Sequence, residues 1–113
     1  MNKQLKAFND YRAKMNERIL TSENKTIKRF FSLDSAAYQK EALDKKTKEM
    51  LGLVASLVLR CDDCVKYHLE KCNEEGLNEK ELFEILAIGN LVGGSICIPH
   101  TRRAVEFWDE LKK

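Results

Sequence analysis

Apolar side chains recur every three or four residues along most of the chain, which is the spacing of amphipathic helices. The first stripe covers residues 3–20 and ends at a polar break over residues 21–24. It consists of Leu5, Phe8, Tyr11, Met15, Ile19 and Leu20. A second, shorter helix is predicted from about Lys25 toward Gln39. The first third of the chain is therefore predicted to contain two helices.

Capping signals set the bounds of the next two predicted helices. Asp44 can accept hydrogen bonds from the free amides of a first helical turn, which predicts a helix from Lys45 to Leu59. The following helix is predicted from Cys61 or Asp62 to Glu75, with Gly76 as its left-handed stop. The start of the first of these helices and the end of the second are thus predicted from residues at the helix ends.

The C-terminal part of the chain predicts two further helices. Asn78 with Glu81 three residues later is a capping box, and it begins a helix over 79–92. Gly93, Gly94 and Pro99 interrupt or kink the chain after this helix. The apolar side of a last helix is formed by Ala104, Val105, Phe107, Trp108 and Leu111. With no repeat and no linker, residues 1–113 are predicted to form one all-α domain of about six helices.

Two of the predicted helices are apolar on more than one face, namely the segments 50–59 and 82–92. A chain of 113 residues has few places to bury them. Left exposed, they would exceed the ~300 to 600 Å² apolar patch of a typical monomer. The pattern therefore predicts a homo-oligomer.

Composition narrows the class of protein. With 43% hydrophobic and 34% charged residues, the chain is too apolar for a disordered segment and too charged for a membrane protein. One Pro and five Gly are few turn-forming residues for the many short strands of a β-sandwich or barrel. The N-terminus has no apolar stretch of the ~7 to 15 residues that a signal peptide requires, and the longest near-apolar run, 50–59, is far below the ~20 residues of a membrane span. We therefore expect a soluble cytoplasmic protein.

Charge is unevenly placed along the chain. Residues 1–31 contain eight Lys and Arg against three acidic residues, whereas residues 32–113 contain twelve against fifteen. The sequence pI of about 8.3 is below the value above ~9 that is typical of nucleic-acid-binding domains. We therefore expect no nucleic-acid partner.

The strongest chemical motif is a C-x-x-C pair, Cys61 and Cys64, followed by His68. On a helix Cys64 and His68 are i and i+4 neighbours on one face, so the imidazole can accept the thiol proton and produce the reactive thiolate. Cys61 lies close enough in sequence for a disulfide with Cys64. The anions Asp62 and Asp63 oppose thiolate formation, which predicts a moderate lowering of the thiol pKa.

Simpler interpretations of the cysteines stay open. Free cysteines are commonly small core residues, and this is the preferred interpretation of Cys72 and Cys97. Zinc is a rival use of Cys61, Cys64 and His68 with an outside ligand, but Cys72 is about 16 Å from Cys61 along one helix and cannot share the ion. No metal site is predicted. His100 is expected to be structural or exposed.

These motifs together resemble the carboxymuconolactone decarboxylase superfamily, and within it the AhpD-like alkylhydroperoxidases. The resemblance covers about residues 43–108 and lies in Glu49, the segment CDDCVKYH and the segment EEGLNEKELFEILAIGNLVGG. It implies an all-helical fold that assembles as trimers or hexamers. The active site would lie in a pocket partly closed by a neighbouring subunit.

The resemblance also implies roles for four residues. Cys64 would attack a hydroperoxide and become a sulfenic acid, and Cys61 would supply a proton and then close the disulfide. Glu49 and His68 would form the proton relay. No cofactor other than this redox-active disulfide is expected, and a dithiol protein of the lipoyl or thioredoxin-like kind would be the reductant.

Two alternative functions remain at this point. The chain is shorter than the better-studied hydroperoxidases, so a lyase acting on a carboxylated lactone, with Glu49 or His68 as proton carrier, stays open. A non-catalytic helical oligomer that senses oxidants is the other alternative. Without the family, Glu49 would be interpreted as a solvated acid among Lys45, Lys46 and Lys48.

Overall fold

The computed structural model describes residues 3–113, which form six α-helices and one short 3₁₀ helix. The helices are α1 (Lys3–Leu20), α2 (Lys25–Ala37), α3 (Lys45–Val58), α4 (Asp62–Glu74), α5 (Glu79–Gly93) and α6 (Ile98–Leu111), with the 3₁₀ helix at Ser95–Cys97. No strand occurs among the described residues, so the predicted all-α fold is confirmed. None of the helices in this part of the chain is long and apolar enough to cross a membrane.

The chain divides into two compact units, and the first is Met1–Gln39. It contains α1 and α2, which contact each other. Asn24 caps α2, since its side-chain oxygen accepts a hydrogen bond from the Ile27 amide at 3.0 Å. Phe30 and Leu33 on α2 are exposed. The single domain over 1–113 stays a prediction.

The second unit, Lys40–Lys113, contains the other four helices. Helix α3 packs against α4 and α5, and α4 packs against α6. Asp44 caps α3 by accepting from the Thr47 amide at 2.7 Å, and Asn78 and Glu81 form the predicted capping box of α5. The core side chains are Leu53, Leu57, Val65, Leu69, Cys72, Leu77, Leu82, Ile85, Leu86, Cys97, Ala104, Phe107 and Trp108. Each of the four helices contributes to this core.

A glycine permits the close approach of α5 to α3. A Cβ atom built on Gly89 would lie 2.6 Å from Cδ2 of Leu57, a distance that real Cβ atoms do not adopt. Leu57 is fully buried, so its side chain has little room to move away. The absence of a side chain at residue 89 therefore fixes the spacing of the two helices.

The break before the last helix differs from the predicted one. Gly94, with φ of 86°, ends α5, and the 3₁₀ helix follows it. Pro99 lies in the first turn of α6, where its missing amide hydrogen leaves no helical hydrogen bond unmade. Pro99 therefore starts the C-terminal helix and does not interrupt it.

Candidate functional site

The turn between α3 and α4 places Cys61 at the start of α4. Arg60 has φ of 60°, in the left-handed region, and its amide donates to the Leu57 carbonyl at 3.0 Å. The Cys61 amide donates to the Ser56 carbonyl at 3.0 Å. These two bonds form the Schellman motif that terminates many helices, usually with glycine at the left-handed position. The chain reverses within two residues, and Cys61 becomes the N-cap of α4.

Cys61 and Cys64 form a disulfide across the first turn of α4, with their Cα atoms 5.3 Å apart. The Sγ atom of Cys61 also accepts a hydrogen bond from the Cys64 amide at 3.3 Å, so a sulfur replaces the usual capping oxygen. Cys64 is exposed and Cys61 is half-buried. The two sulfurs therefore differ in environment: one caps the helix and the other belongs to the more accessible residue.

Glu49 of α3 and His68 of α4 form a buried pair. Nδ1 of His68 lies 2.8 Å from Oε1 of Glu49, and the two residues are only 8% and 2% exposed. A buried carboxylate requires such a partner, and the bond fixes the orientation of the imidazole. Because Nδ1 is used by Glu49, proton exchange with a further group falls to Nε2. The ring of Tyr67 meets the imidazole edge-on at 5.1 Å between centroids.

The structure brings the four sequence-predicted site residues to one region around α4. His68 lies one helical turn after Cys64, at the i+4 position on the same helical face. Glu49 reaches His68 from α3, and so it is not the solvated acid that its lysine-rich neighbourhood suggests. The catalytic roles of these residues stay predictions.

The two remaining cysteines are free and buried, as predicted for core residues. Burial, together with the smaller effect of the negative charge of Glu49, raises the pKa of Cys72 to about 12. The Sγ atom of Cys97 donates to the Leu57 carbonyl at 3.6 Å. Cys72 is therefore not suited to redox chemistry near neutral pH, since the thiolate is the reactive form.

A second polar cluster lies beside the cysteine pair and was not predicted from the sequence. Asp62, the first residue of α4, accepts hydrogen bonds from Nδ1 of His100 at 2.7 Å and from Nε of Arg103 at 2.9 Å. Burial pushes the pKa of Asp62 upward, but these two bonds and the Arg103 charge outweigh it, and the pKa is lowered. His100 therefore ties α6 to α4 and is not an exposed residue.

No group of three or more His, Cys, Asp or Glu side chains that could hold a metal ion occurs within residues 3–113. Zinc binding through Cys61, Cys64 and His68 accordingly has no support from the geometry of the described residues. Two of these side chains are engaged with each other in the disulfide, and the third is bonded to Glu49. The arrangement suits proton and thiol chemistry.

Comparison with known structures gives close matches over nearly the whole chain. A protein of Thermotoga maritima is 55% identical, with a TM-score of 0.93 over 95% of this chain and 94% of its own. A second crystal structure from Thermotoga maritima, 54% identical with a TM-score of 0.90 over 94% and 90% of the chains, is described as a carboxymuconolactone decarboxylase family protein with a suggested role in the antioxidative response. A Legionella pneumophila member of that family shares the fold at 23% identity.

Sequence relatives agree with this assignment. The alkyl hydroperoxide reductase AhpD of Corynebacterium kroppenstedtii is 33% identical over 55 residues, which are 49% of this chain and 32% of that protein. A Paracoccus denitrificans protein of the cox locus, uncharacterized, is 23% identical over 73% of this chain and 74% of its own. The profile of the carboxymuconolactone decarboxylase family matches residues 25–107. The chain belongs to the carboxymuconolactone decarboxylase family, and the AhpD match supports its AhpD-like branch.

Proposed function

We propose that the protein is a thiol-dependent peroxidase that reduces hydroperoxides at the Cys61–Cys64 pair. The observation that carries the proposal is the disulfide at the start of α4, one turn before an imidazole that is held by a buried carboxylate. A disulfide across a C-x-x-C motif forms and breaks without rearrangement of the chain, because the two residues share one helical turn. The distant AhpD relative supports the same chemistry.

Cys64 is the residue that attacks the peroxide in this proposal. It is the more exposed cysteine, and His68 follows it at the i+4 position. The Cys64 thiolate attacks one oxygen of the hydroperoxide, the O–O bond breaks, and the alkoxide leaves and takes up a proton as an alcohol. Cys64 then carries a sulfenic acid. Attack by the Cys61 sulfur on the Cys64 sulfur forms the disulfide and releases water.

His68 and Glu49 supply the proton steps. The neutral imidazole takes the Cys64 proton at Nε2 while Glu49 holds Nδ1 and stabilises the charged ring that results. The same proton is then returned to the leaving alkoxide. Because Glu49 is almost fully buried, its carboxylate exerts its effect in a medium of low dielectric constant.

The cycle requires two electrons from a reductant. A protein dithiol of the lipoyl or thioredoxin-like kind would attack the disulfide, form a mixed disulfide and then release it through its own second thiol. The greater exposure of Cys64 favours attack at that residue, with Cys61 leaving as a thiolate that is stabilised by the Cys64 amide. Such a cycle runs in a reducing compartment, so we place the protein in the cytoplasm.

A peroxide-consumption assay with dihydrolipoamide or dithiothreitol tests the function. Wild type is expected to turn over, and Cys61→Ser, Cys64→Ser and the double variant are expected to lose turnover. Cys97→Ser is the matched control, since it alters a buried free thiol outside the site and should retain activity in protein that remains folded. Turnover that survives the double variant would refute the proposal.

The same variants separate the two alternative functions. A lyase that uses Glu49 or His68 as proton carrier would process a carboxylated lactone equally well without the cysteines. An oxidant sensor would form the Cys61–Cys64 disulfide stoichiometrically, and with excess dithiol it would consume peroxide no faster than the dithiol does alone. Each outcome is distinct from that of a peroxidase.

A further inference from the structure

The Asp62 carboxylate is placed between the cysteine pair and two basic side chains of α6. It follows Cys61 directly in the sequence. It accepts hydrogen bonds from His100 and Arg103, which lie 38 and 41 residues later in the chain. Arg103 reaches it through Nε, and Nη2 of the same guanidinium lies 3.2 Å from the His100 ring. The contacts of Asp62 therefore join the redox motif to the C-terminal helix.

This placement has an electrostatic consequence for the thiols. A carboxylate beside a cysteine opposes formation of the thiolate, and a nearby cation favours it. Asp62 alone would make the pair less reactive, while a neutralised Asp62 leaves the positive end of α4 to act on the sulfurs. The guanidinium of Arg103 is the permanent charge that offsets the carboxylate.

We propose that Arg103, acting through Asp62, is a positioning residue that sets the acidity of the Cys61 and Cys64 thiols. Arg103 holds the carboxylate toward α6 and cancels its charge, so that the reduced pair ionises more readily. This inference deepens the proposed redox function and rests on it, but its readout does not require that the substrate be a peroxide.

The other charged groups around the pair are accounted for as follows. Arg60 precedes Cys61, and Asp63 follows Asp62 in the first turn of α4. His68 follows Cys64 by one turn of the same helix and is bonded to Glu49, which comes from α3. None of these groups is altered by a substitution at residue 103, so a change in thiol acidity there reports on Asp62 and its partners.

The test is the rate of iodoacetamide alkylation as a function of pH in reduced protein. It is measured in the Cys61→Ser and Cys64→Ser backgrounds, so that one cysteine of the pair is followed at a time, while the two buried thiols are common to all variants. Arg103→Gln is expected to slow alkylation at pH 7 about three-fold by raising the thiol pKa, and Asp62→Asn to accelerate it about three-fold. The alkylation rate of the variant that combines Arg103→Gln with Asp62→Asn should return close to that of the background. Arg103→Lys, which keeps the charge, should recover most of the loss.

The opposite signs distinguish electrostatics from structure. If the cluster merely joined α4 to α6, both single variants would loosen the same contact and would change the rate in the same direction. Arg102→Gln removes the same charge from the neighbouring residue and should have less than half of the Arg103→Gln effect. The effects should also shrink in 0.5 M salt, where screening lengths fall to a few ångströms.

Equal alkylation rates with and without Arg103→Gln in both single-cysteine backgrounds, or rate changes of the same sign in Arg103→Gln and Asp62→Asn, would overturn the inference. Failure of the proposed function gives a different result, because the alkylation profiles would still shift in opposite directions while peroxide consumption was absent. Both measurements use the full chain, and circular dichroism verifies that each variant is folded.

Discussion

A carboxylate that is 2% exposed in a small protein requires a partner that stays in place, and for Glu49 that partner is His68. Removing one member of a buried pair leaves the other uncompensated, at a cost of about 3 to 5 kcal/mol. The pair therefore has a structural role and a proposed catalytic role at once. An experiment on either residue has to separate the two.

His68→Asn is designed to separate them. The asparagine amide can still donate to Glu49 as Nδ1 of the histidine does, but it provides no base in place of Nε2. Peroxide turnover is expected to fall about 10²-fold, which is the typical contribution of a general base, while the melting temperature stays close to that of wild type. His68→Ala removes both the hydrogen bond to Glu49 and the base, so both the turnover and the melting temperature should fall. Cys64 alkylation against pH is the direct measurement, and superimposable wild-type and His68→Asn curves would exclude the relay.

Cys72 gives a pH dependence of stability whose sign follows from its environment. Its pKa is raised from 9.0 to about 12 in the folded protein, chiefly by burial. Below pH 9 the thiol is protonated in both states; above it, only the unfolded state ionises. The free energy of unfolding should therefore fall as pH rises from about 9 toward 12, by about 1.4 kcal/mol per pH unit.

The measurement compares Cys72→Ala with its parent in the Cys61→Ser/Cys64→Ser background, which removes disulfide exchange at alkaline pH. At pH 8 the parent should be the more stable, because the alanine leaves a cavity. By pH 10.5 this difference should shrink by about 2 kcal/mol. A difference that is independent of pH would mean that Cys72 ionises alike in both states.

At the scale of elements, the end of α3 holds a conformation that its residue does not favour. The left-handed region costs a residue with a Cβ atom about 1 to 2 kcal/mol, and Arg60 adopts it with φ of 60°. Arg60 is exposed. Arg60→Gly should raise the free energy of unfolding by about 0.5 to 1 kcal/mol, after allowance for the greater freedom of glycine in the unfolded chain.

Arg60→Ala is the matched control for this prediction. It removes the same guanidinium but keeps the Cβ atom, so it should leave the left-handed strain in place and give no stabilisation. Urea denaturation of the oxidised protein measures both variants. If Arg60→Ala raised the free energy of unfolding as much as Arg60→Gly does, the stabilisation would come from loss of the charge and not from relief of the left-handed backbone.

Helix bounds were predictable from the sequence because the signals that set them are local. Asp44, Asn78 and Gly76 act on amides or carbonyls within a few residues, and the observed bounds agree with the predicted ones within one or two residues. The turn at Arg60 had no such signal, since no glycine marks the left-handed position. The bounds around it still followed from the change in apolar pattern.

The site was predictable only in part, because some of its contacts join distant parts of the chain. Cys61, Cys64 and His68 are close in sequence, and their spacing identified them. Glu49, which is 19 residues from His68, was found through the family resemblance alone. The contact of His100 with Asp62 spans 38 residues, and neither residue belongs to a motif that would have paired them.

At the scale of the whole molecule, the exposed apolar residues of the second unit predict association with further copies of the chain. Leu91 is 85% exposed and Val92 is 69% exposed, and the exposed set also includes Leu51, Leu59, Phe83, Ile88 and Ile96. Except for Ile96, which lies in the 3₁₀ helix, these residues belong to the segments 50–59 and 82–92, whose apolar positions exceed one face in the sequence. Their burial between subunits would remove the patch from water.

We expect light scattering at micromolar concentration to give a trimer or a hexamer. Leu91→Glu should dissociate it, because a carboxylate buried in an interface without a partner is strongly unfavourable. Lys80→Glu, on the exposed first turn of the same helix, is the control and should leave the assembly intact. A wild-type mass of 13.1 kDa would contradict the prediction.

The sulfur of Cys61 that caps α4 has one more consequence, for spectroscopy. Its hydrogen bond with the Cys64 amide places that amide proton against the Cys61 sulfur. In a reduced Cys64→Ser variant the side chain of residue 64 no longer titrates, so the chemical shift of this proton would follow the ionisation of Cys61 alone as pH changes. One backbone resonance would thereby report the protonation of the sulfur that caps the helix.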